Sequence, residues 1–479
     1  MVAAAESVDV LVVGAGLSGL RAAVDVHRAG LSVVVLEARD RVGGKTLSVA
    51  ASHLGGKVDL GAAWINDTNQ SEMYKLAREF GFDLVEQRSS GFNLTKGLDG
   101  NLVKFPFNSS GPASPQDEAA RDAFYGALVE HVSVANHESP HLCPDALKLD
   151  SMTFEEFARA ESKSEVGVNV ANRMSAALLG VDAEEVSALF MVDYIQSGTG
   201  LENMSSDLKD GGQYLRNRQG NQAFSARMAA KLPQNSLQTS TAVSKITQSG
   251  YNICEVTTTS GSTYYAKTVI VSVPTCVLPS ITFDPPLPPA RMSLSQNTQL
   301  GYYAKAIFIF DRPWWREAGL SGIMESDEGP ISFSRDSCVE ADGQYSITCF
   351  IVGDPGRRWS KWSAAERRRR VAEQFDAHFG QAARDVGVTV PAAVNIIEKE
   401  WIKDPWACGA PSAVMMPGTL TGDAGKSIRE PLRNVHFVGT ETALVWKGYM
   451  EGAVRSGIRG AQEVIQKLSS RTLERAKLS

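Results

Sequence analysis

Residues 8–47 read VDVLVVGAGLSGLRAAVDVHRAGLSVVVLEARDRVGGKTL. Residues 8–13 are an apolar, β-branched run of strand length, Gly14-Ala15-Gly16-Leu17-Ser18-Gly19 follows at once, and residues 20–29 suit a helix. Strand, glycine turn and helix in that order make a dinucleotide-binding unit. Gly14 allows the tight turn, Gly16 lets backbone approach a pyrophosphate, Gly19 lets helix pack on strand, and the helix N-terminus offers free N–H groups to phosphate. A lone GxGxxG also occurs in surface glycine loops. Here a second strand, residues 32–36, ends in Glu37, placed to accept hydrogen bonds from a ribose hydroxyl. Arg39-Asp40-Arg41-Val42-Gly43-Gly44-Lys45-Thr46 then adds a second glycine pair flanked by cations. A nicotinamide fold stops at the acid, so a second phosphate-contacting loop points to FAD bound in extended form. The fold class expected is α/β, with a Rossmann-like FAD-binding domain.

The 479 residues suffice for two domains with substantial cores, and 43% hydrophobic with 21% charged residues is ordinary for a globular chain. A net charge of -6 argues against a general nucleic-acid binder, which needs a basic surface. Cys143, Cys254, Cys276, Cys338, Cys349 and Cys408 show no CxxC spacing, so neither a metal site nor a disulfide framework is expected. Residues 1–7 lack a basic segment followed by a long apolar one, so no signal peptide is expected, and the Asn-x-Ser/Thr matches at Asn66, Asn93, Asn108 and Asn203 are read as chance. No run of about 18 apolar residues suggests a transmembrane helix. Ala476-Lys477-Leu478 resembles a peroxisomal address, but Ser479 follows it. A cytoplasmic location is expected, peroxisomal import being the lesser alternative.

Along the chain, residues 55–65 read as a short strand and a small-residue loop, where Gly61-Ala62-Ala63 lets backbone pass close to a bound ring system. An ordinary packing loop is the alternative. Residues 71–80 suit a helix capped by Ser71. Gly, Pro, Asn and Ser gather around residues 93–115, where the chain leaves the nucleotide domain. Residues 116–205 are largely helical, over 122–135, 153–160, 166–179 and 183–194, and are read as a lid. A helix ends near Leu232, strands follow at 241–246, 251–258 and 264–273, and residues 266–274 are apolar enough for a buried strand of the nucleotide domain. The strand at 302–310 carries a lone cation, Lys305, whose direction alternation leaves open. Residues 346–352 form another strand, and 363–379 a helix whose arginine run, residues 367–370, is read as a solvated face. Residues 435–442 are strand, turn and acid. A helix start at residues 448–452 beside a flavin stabilises negative charge developing at the reduced pyrimidine ring. That helix is expected to end near Leu468.

GAGLSGL with LEARDRVGGKT near the start and VGTETALVWKGYMEGAVRSG near the end resemble the flavin monoamine oxidase family, over nearly the whole chain. The interior segments LGAAWINDTNQSE, KDGGQY, LGYYAKAIFIFDRPWWRE, SITCFIVGDPGRRWS and GAPSAV resemble the fungal aminopolyol amine oxidases, which deaminate fumonisins. The resemblance implies the two-domain flavin amine oxidase fold. Residues 1–88, 215–294 and 400–468 then form a discontinuous FAD-binding domain, 89–214 and 295–399 an α+β substrate domain, and 469–479 a polar tail.

It also implies roles. Gly14, Gly16, Gly19, Glu37, Arg39, Gly44 and Lys45 hold the adenosine and pyrophosphate, with Val243 at the adenine through its backbone. Gly61, Ala62, Trp406, Glu441 and Met450 complete the cofactor site. Lys305 matches a lysine that holds a water against flavin N5, a snorkelling lysine on a strand edge being the ordinary alternative. Tyr449 matches one wall of an aromatic cage that directs an uncharged amine to the flavin, and Trp64, Pro411 and Trp446 join it around the substrate. Two positions depart from the family. Ala410 stands where membrane-bound members attach FAD through cysteine, which implies noncovalent FAD. Pro411 stands at the usual second cage aromatic, which opens the cage on one side.

The reaction implied is oxidative deamination of a primary amine, here a long-chain aminopolyol of fumonisin type. The α C–H hydride equivalent passes to FAD, the imine hydrolyses to a ketone and ammonia, and oxygen is reduced to hydrogen peroxide. A general monoamine or polyamine oxidase, an L-amino-acid oxidase and a flavin-binding module without turnover are the alternatives. A polyamine site needs convergent carboxylates and an amino-acid site an arginine. Intact fumonisin needs cations for its tricarballylate arms, for which Arg357, Arg358 and Lys447 are candidates. The partners expected are the amine and oxygen, with no nucleic acid or membrane and with a homodimer possible.

Overall fold

In the computed structural model, which describes residues 7–97, 99–250 and 253–478, the strand Val8–Val13 lies inside an eight-stranded sheet. It pairs in parallel with Val33–Leu36 on one side and with Thr263–Val271 on the other. Val10 and Val12 face one buried cluster and Leu11 and Val13 another. Burial on both faces is why residues 10–13 are continuously apolar instead of alternating. Thr263–Val271, which overlaps the buried strand expected at residues 266–274, begins antiparallel to Ile253–Thr258 and ends parallel to Val435–Phe437.

The helix after the glycine turn, Leu17–Arg28, packs against the long helix Met450–Leu478. A Cβ at Gly457 would meet the Ser18 carbonyl oxygen at 2.4 Å, so only glycine permits this approach. The long helix therefore carries the C-terminal signature back onto the first turn of the chain. Its backbone continues past the expected end at Leu468. Residues 1–6, Ser479 and the side chains beyond residue 470 lie outside the described residues, and with them the readings of the N-terminus, the polar tail and Ala476-Lys477-Leu478.

A second sheet orders Phe333–Asp336, Tyr345–Val352, Tyr303–Phe310 and Asn395–Glu400, all antiparallel. Lys305 stands opposite Phe350 in its register. The helical segments between residues 115 and 205 pack into a core that includes Phe124, Phe154, Phe157 and Phe190, to which Leu294, Val414 and Leu420 also contribute.

Several boundaries shift for local reasons. The helix expected from Asp122 starts at Pro115, because Ser114 caps it by accepting from the Asp117 N–H at 3.2 Å and proline is tolerated in the first turn. The helix expected at 183–194 splits into a short turn, Ala183–Glu185, and Ala188–Ser197, since Ser187 caps the second piece. Ser71 caps nothing. It is the first residue of Ser71–Glu79, whose Glu72 and Met73 N–H groups donate to the buried Glu451 carboxylate at 3.1 and 2.8 Å. Of the arginine run, Arg369 and Arg370 pair with Glu366 on the exposed face, whereas Arg367 folds onto the Trp359 ring. Among the described residues no helix is long and apolar enough to cross a membrane.

Candidate active site

One elongated cavity runs from the end of the second strand to the start of the long helix. Its first part is built on the glycine turn. Gly14 has φ +100° and Gly16 begins the helix with no side-chain cap, so the first-turn N–H groups lack a side-chain acceptor. Gly44 comes so close that a Cβ on it would lie 3.3 Å from the Gly16 Cα, which brings the two glycine loops to one point. Gly19 does not line the cavity: its Cβ position is 2.1 Å from the Gly14 carbonyl oxygen, so it serves the contact of helix with turn.

Glu37 is buried and accepts from the Ala15 N–H at 2.6 Å and the Arg39 N–H at 2.9 Å, so its carboxylate fastens the glycine turn besides facing the cavity. Arg39 lines the same end but its Nη2 donates to Asp404 at 2.5 Å, while its Nε is buried without a partner. Lys45 faces the cavity beside Gly44, and burial holds its pKa below the usual lysine range against the opposing pull of Glu441. Val243 and Trp406 line the cavity as well, Trp406 being 39% exposed. An uncapped helix start, two facing glycines, a carboxylate at the strand end and two cations form a donor set that suits a dinucleotide with its pyrophosphate.

Gly61, Ala62, Glu441 and Met450 continue the wall from Lys45, Glu441 lying within electrostatic reach of that lysine and accepting from the Thr275 N–H at 2.7 Å. Lys305 points inward. Its Nζ donates to the carbonyls of Asp59 at 2.9 Å and Gly61 at 2.6 Å, and burial lowers its pKa to about 8. Two of the three ammonium N–H groups are thereby used.

The aromatic surround differs from the sequence expectation. Tyr449 lines the cavity with its ring 6.2 Å from that of Tyr194, and burial pushes its hydroxyl pKa upward. Trp64 lines it too, its indole N–H donating to Gln87 at 3.0 Å and its ring stacked 5.8 Å from Phe350. Pro411 and Ala410 are present in the wall. Trp446 is not: it is wholly buried, edge-on to Tyr449 at 4.7 Å, and backs that ring instead of touching the cavity. Its backbone has φ +54°. Cys408 is exposed, and no cysteine lines the cavity.

Tyr194, Gln213, Tyr303 and Phe350 also line this end and were not singled out from sequence. Tyr303 was within reach, since it lies two residues from Lys305 and shares its face of the strand. Phe350 needed the register and Tyr194 the helix packing, which no local pattern carries. The three cations considered for carboxylate arms are engaged elsewhere. Arg357 pairs with Asp182 and Glu185, Arg358 with Asp354, and Lys447 is buried against Asp193.

A family model described as flavin containing amine oxidoreductase matches residues 17–465. A flavin-containing amine oxidase of Oncorhynchus mykiss is 33% identical over 476 residues, covering 96% of this chain and 86% of that protein. Among solved structures, cyclohexylamine oxidase from Brevibacterium oxydans superposes with a TM-score of 0.88 at 28% identity, over 97% of this chain and 100% of that one. Putrescine oxidase bound to putrescine gives 0.87 at 26% identity, over 96% and 99%. The chain belongs to the flavin-containing amine oxidoreductase family. It is an FAD-binding oxidoreductase that acts on amines, and among the described residues that line the cavity there is no cysteine.

Proposed function

We propose that this enzyme oxidises a primary amine carried on a long, uncharged chain, an aminopolyol of the kind left when fumonisin loses its tricarballylate arms. The products are the ketone, ammonia and hydrogen peroxide. The observation that carries the reading is the lining of the amine end, formed by Trp64, Tyr194, Gln213, Tyr303, Phe350, Tyr449 and Pro411, with Lys305 as its cation. Among the described lining residues, this end holds neither the convergent carboxylates that a polyamine calls for nor an arginine for an amino-acid carboxylate. The engagement of Arg357, Arg358 and Lys447 favours the hydrolysed polyol over intact fumonisin.

FAD supplies the two-electron oxidant. The chain's own part is to exclude water, orient the amine and keep it uncharged. Aromatic faces stabilise a cation electrostatically but desolvation favours the neutral amine, the form with a free lone pair to release the hydride equivalent. Lys305 holds the Asp59 and Gly61 carbonyls toward the strand and keeps its third N–H as a donor at the amine end. Active members at a cytoplasmic address and as dimers belong to the same reading.

The test is peroxide release by FAD-loaded protein from a long-chain 2-amino-polyol, benzylamine, spermine and L-leucine. Release with the polyol in clear preference is expected. Preference for benzylamine, spermine or L-leucine overturns the substrate assignment in favour of the corresponding alternative.

A further inference from the structure

Asp193 and Lys447 form an ion pair whose side chains are 1% and 6% exposed, and neither residue lines the cavity. The second Asp193 oxygen, Oδ1, is buried without a hydrogen-bond partner. Each member immediately precedes residues that do line it: Asp193 is followed by Tyr194, and Lys447 by Gly448 and Tyr449. Two further bonds join the same segments. The Trp446 N–H donates to the Ser197 carbonyl at 2.7 Å and the Lys447 N–H to the Ser197 hydroxyl at 3.2 Å.

Contact between the segments is tight. Gly448 has φ +84°, and a Cβ there would lie 2.6 Å from the Tyr194 ring and hydroxyl. Tyr194 thus fills the space that glycine leaves, and its ring faces Tyr449 at 6.2 Å with 33° between planes.

A buried ion pair is an expensive way to hold a helix to a loop, because apolar side chains of similar volume do so equally well or better. What the charges add is direction: a single register in which both partners meet. We propose that Asp193 and Lys447 are positioning residues that set the gap between Tyr194 and Tyr449 and so decide which amines reach the cofactor. The assignment rests on amine oxidation and not on the choice of amine.

The test uses holoenzyme and whichever amine of the panel above it oxidises best, so a wrong substrate assignment shows as a different preferred amine and leaves this measurement intact. Asp193→Leu combined with Lys447→Met removes both charges without stranding one. FAD content and melting temperature close to the parent are expected, with KM raised about tenfold and kcat changed less than about threefold. Ser197→Ala, a milder change in the same staple, is expected to raise KM in the same direction. Lys447→Arg retains the pair and is expected to keep KM near the parental value. Parental KM in the folded double variant overturns the proposal, as does parental KM in Ser197→Ala if the double variant does not fold. A KM rise in Lys447→Arg equal to that of the double variant also overturns it, since the pair is then not the cause.

Discussion

Replacing Lys305 by methionine separates the stability of this site from its chemistry. Lys305 is 4% exposed and burial brings its pKa down to about 8, against an ordinary value of 10.5 that the unfolded chain retains. Below pH 8 both states carry the proton and the full penalty of burying the ammonium is present. Between pH 8 and 10.5 the folded state holds fewer protons than the unfolded one, so stability rises with pH across that window. Integrated from pH 7 to 9.5, the contribution is about 2 kcal/mol.

Lys305→Met lacks this titration. At pH 7 it escapes the burial penalty but leaves the Asp59 and Gly61 carbonyls without their donor, at about 1–3 kcal/mol each, so the net change there is small in either direction. The informative quantity is the change in the difference: from pH 7 to 9.5 the parent gains about 2 kcal/mol on the variant. Urea unfolding of both proteins at the two pH values, with equal excess FAD, measures it, because every group other than Lys305 cancels in the comparison. Parallel pH profiles refute the reasoning and return Lys305 to an ordinary surface-like pKa. Peroxide release by the variant is expected to fall about tenfold or more, since the Lys305 donor is gone.

Glu37→Ala strands the buried Ala15 N–H and the part-buried Arg39 N–H, from which its carboxylate now accepts. About a tenfold loss of FAD affinity is expected, read from the flavin-to-protein absorbance ratio after gel filtration, and full retention would count against the glycine turn as the cofactor site. Gly448→Ala drives a methyl group into Tyr194 at a backbone angle that favours glycine. A loss of about 2 kcal/mol or more in unfolding free energy is expected, measured by the same urea titration.

How much of this was legible in the sequence varies with how local each signal is. The glycine turn, Glu37 and the second glycine pair fall within about forty consecutive residues, where glycine placement and strand-to-helix spacing are dictated by backbone sterics that any sequence shows openly. Helix starts that depend on a neighbouring hydroxyl, as at Ser114 and Ser187, are equally local signals. The start at Ser71 is not local, because its acceptor, Glu451, lies 379 residues further on from Glu72.

The aromatic end of the cavity divides the same way. Tyr449 and Lys305 stand in segments whose family resemblance is strong, and Trp64 and Pro411 were placed with them. Trp446 sits in one of those segments too, yet it is fully buried, edge-on to Tyr449, and does not line the cavity. By itself the sequence determined the nucleotide-binding unit, the cofactor class and the family, since these follow from short-range geometry and from runs of residues kept together. Only the tertiary structure decided which aromatic side chains line the cavity, that Arg357, Arg358 and Lys447 are already paired, and that Asp193 meets Lys447. Those contacts join residues far apart in the chain, and their direction is set by sheet register and helix packing, which a linear pattern does not encode.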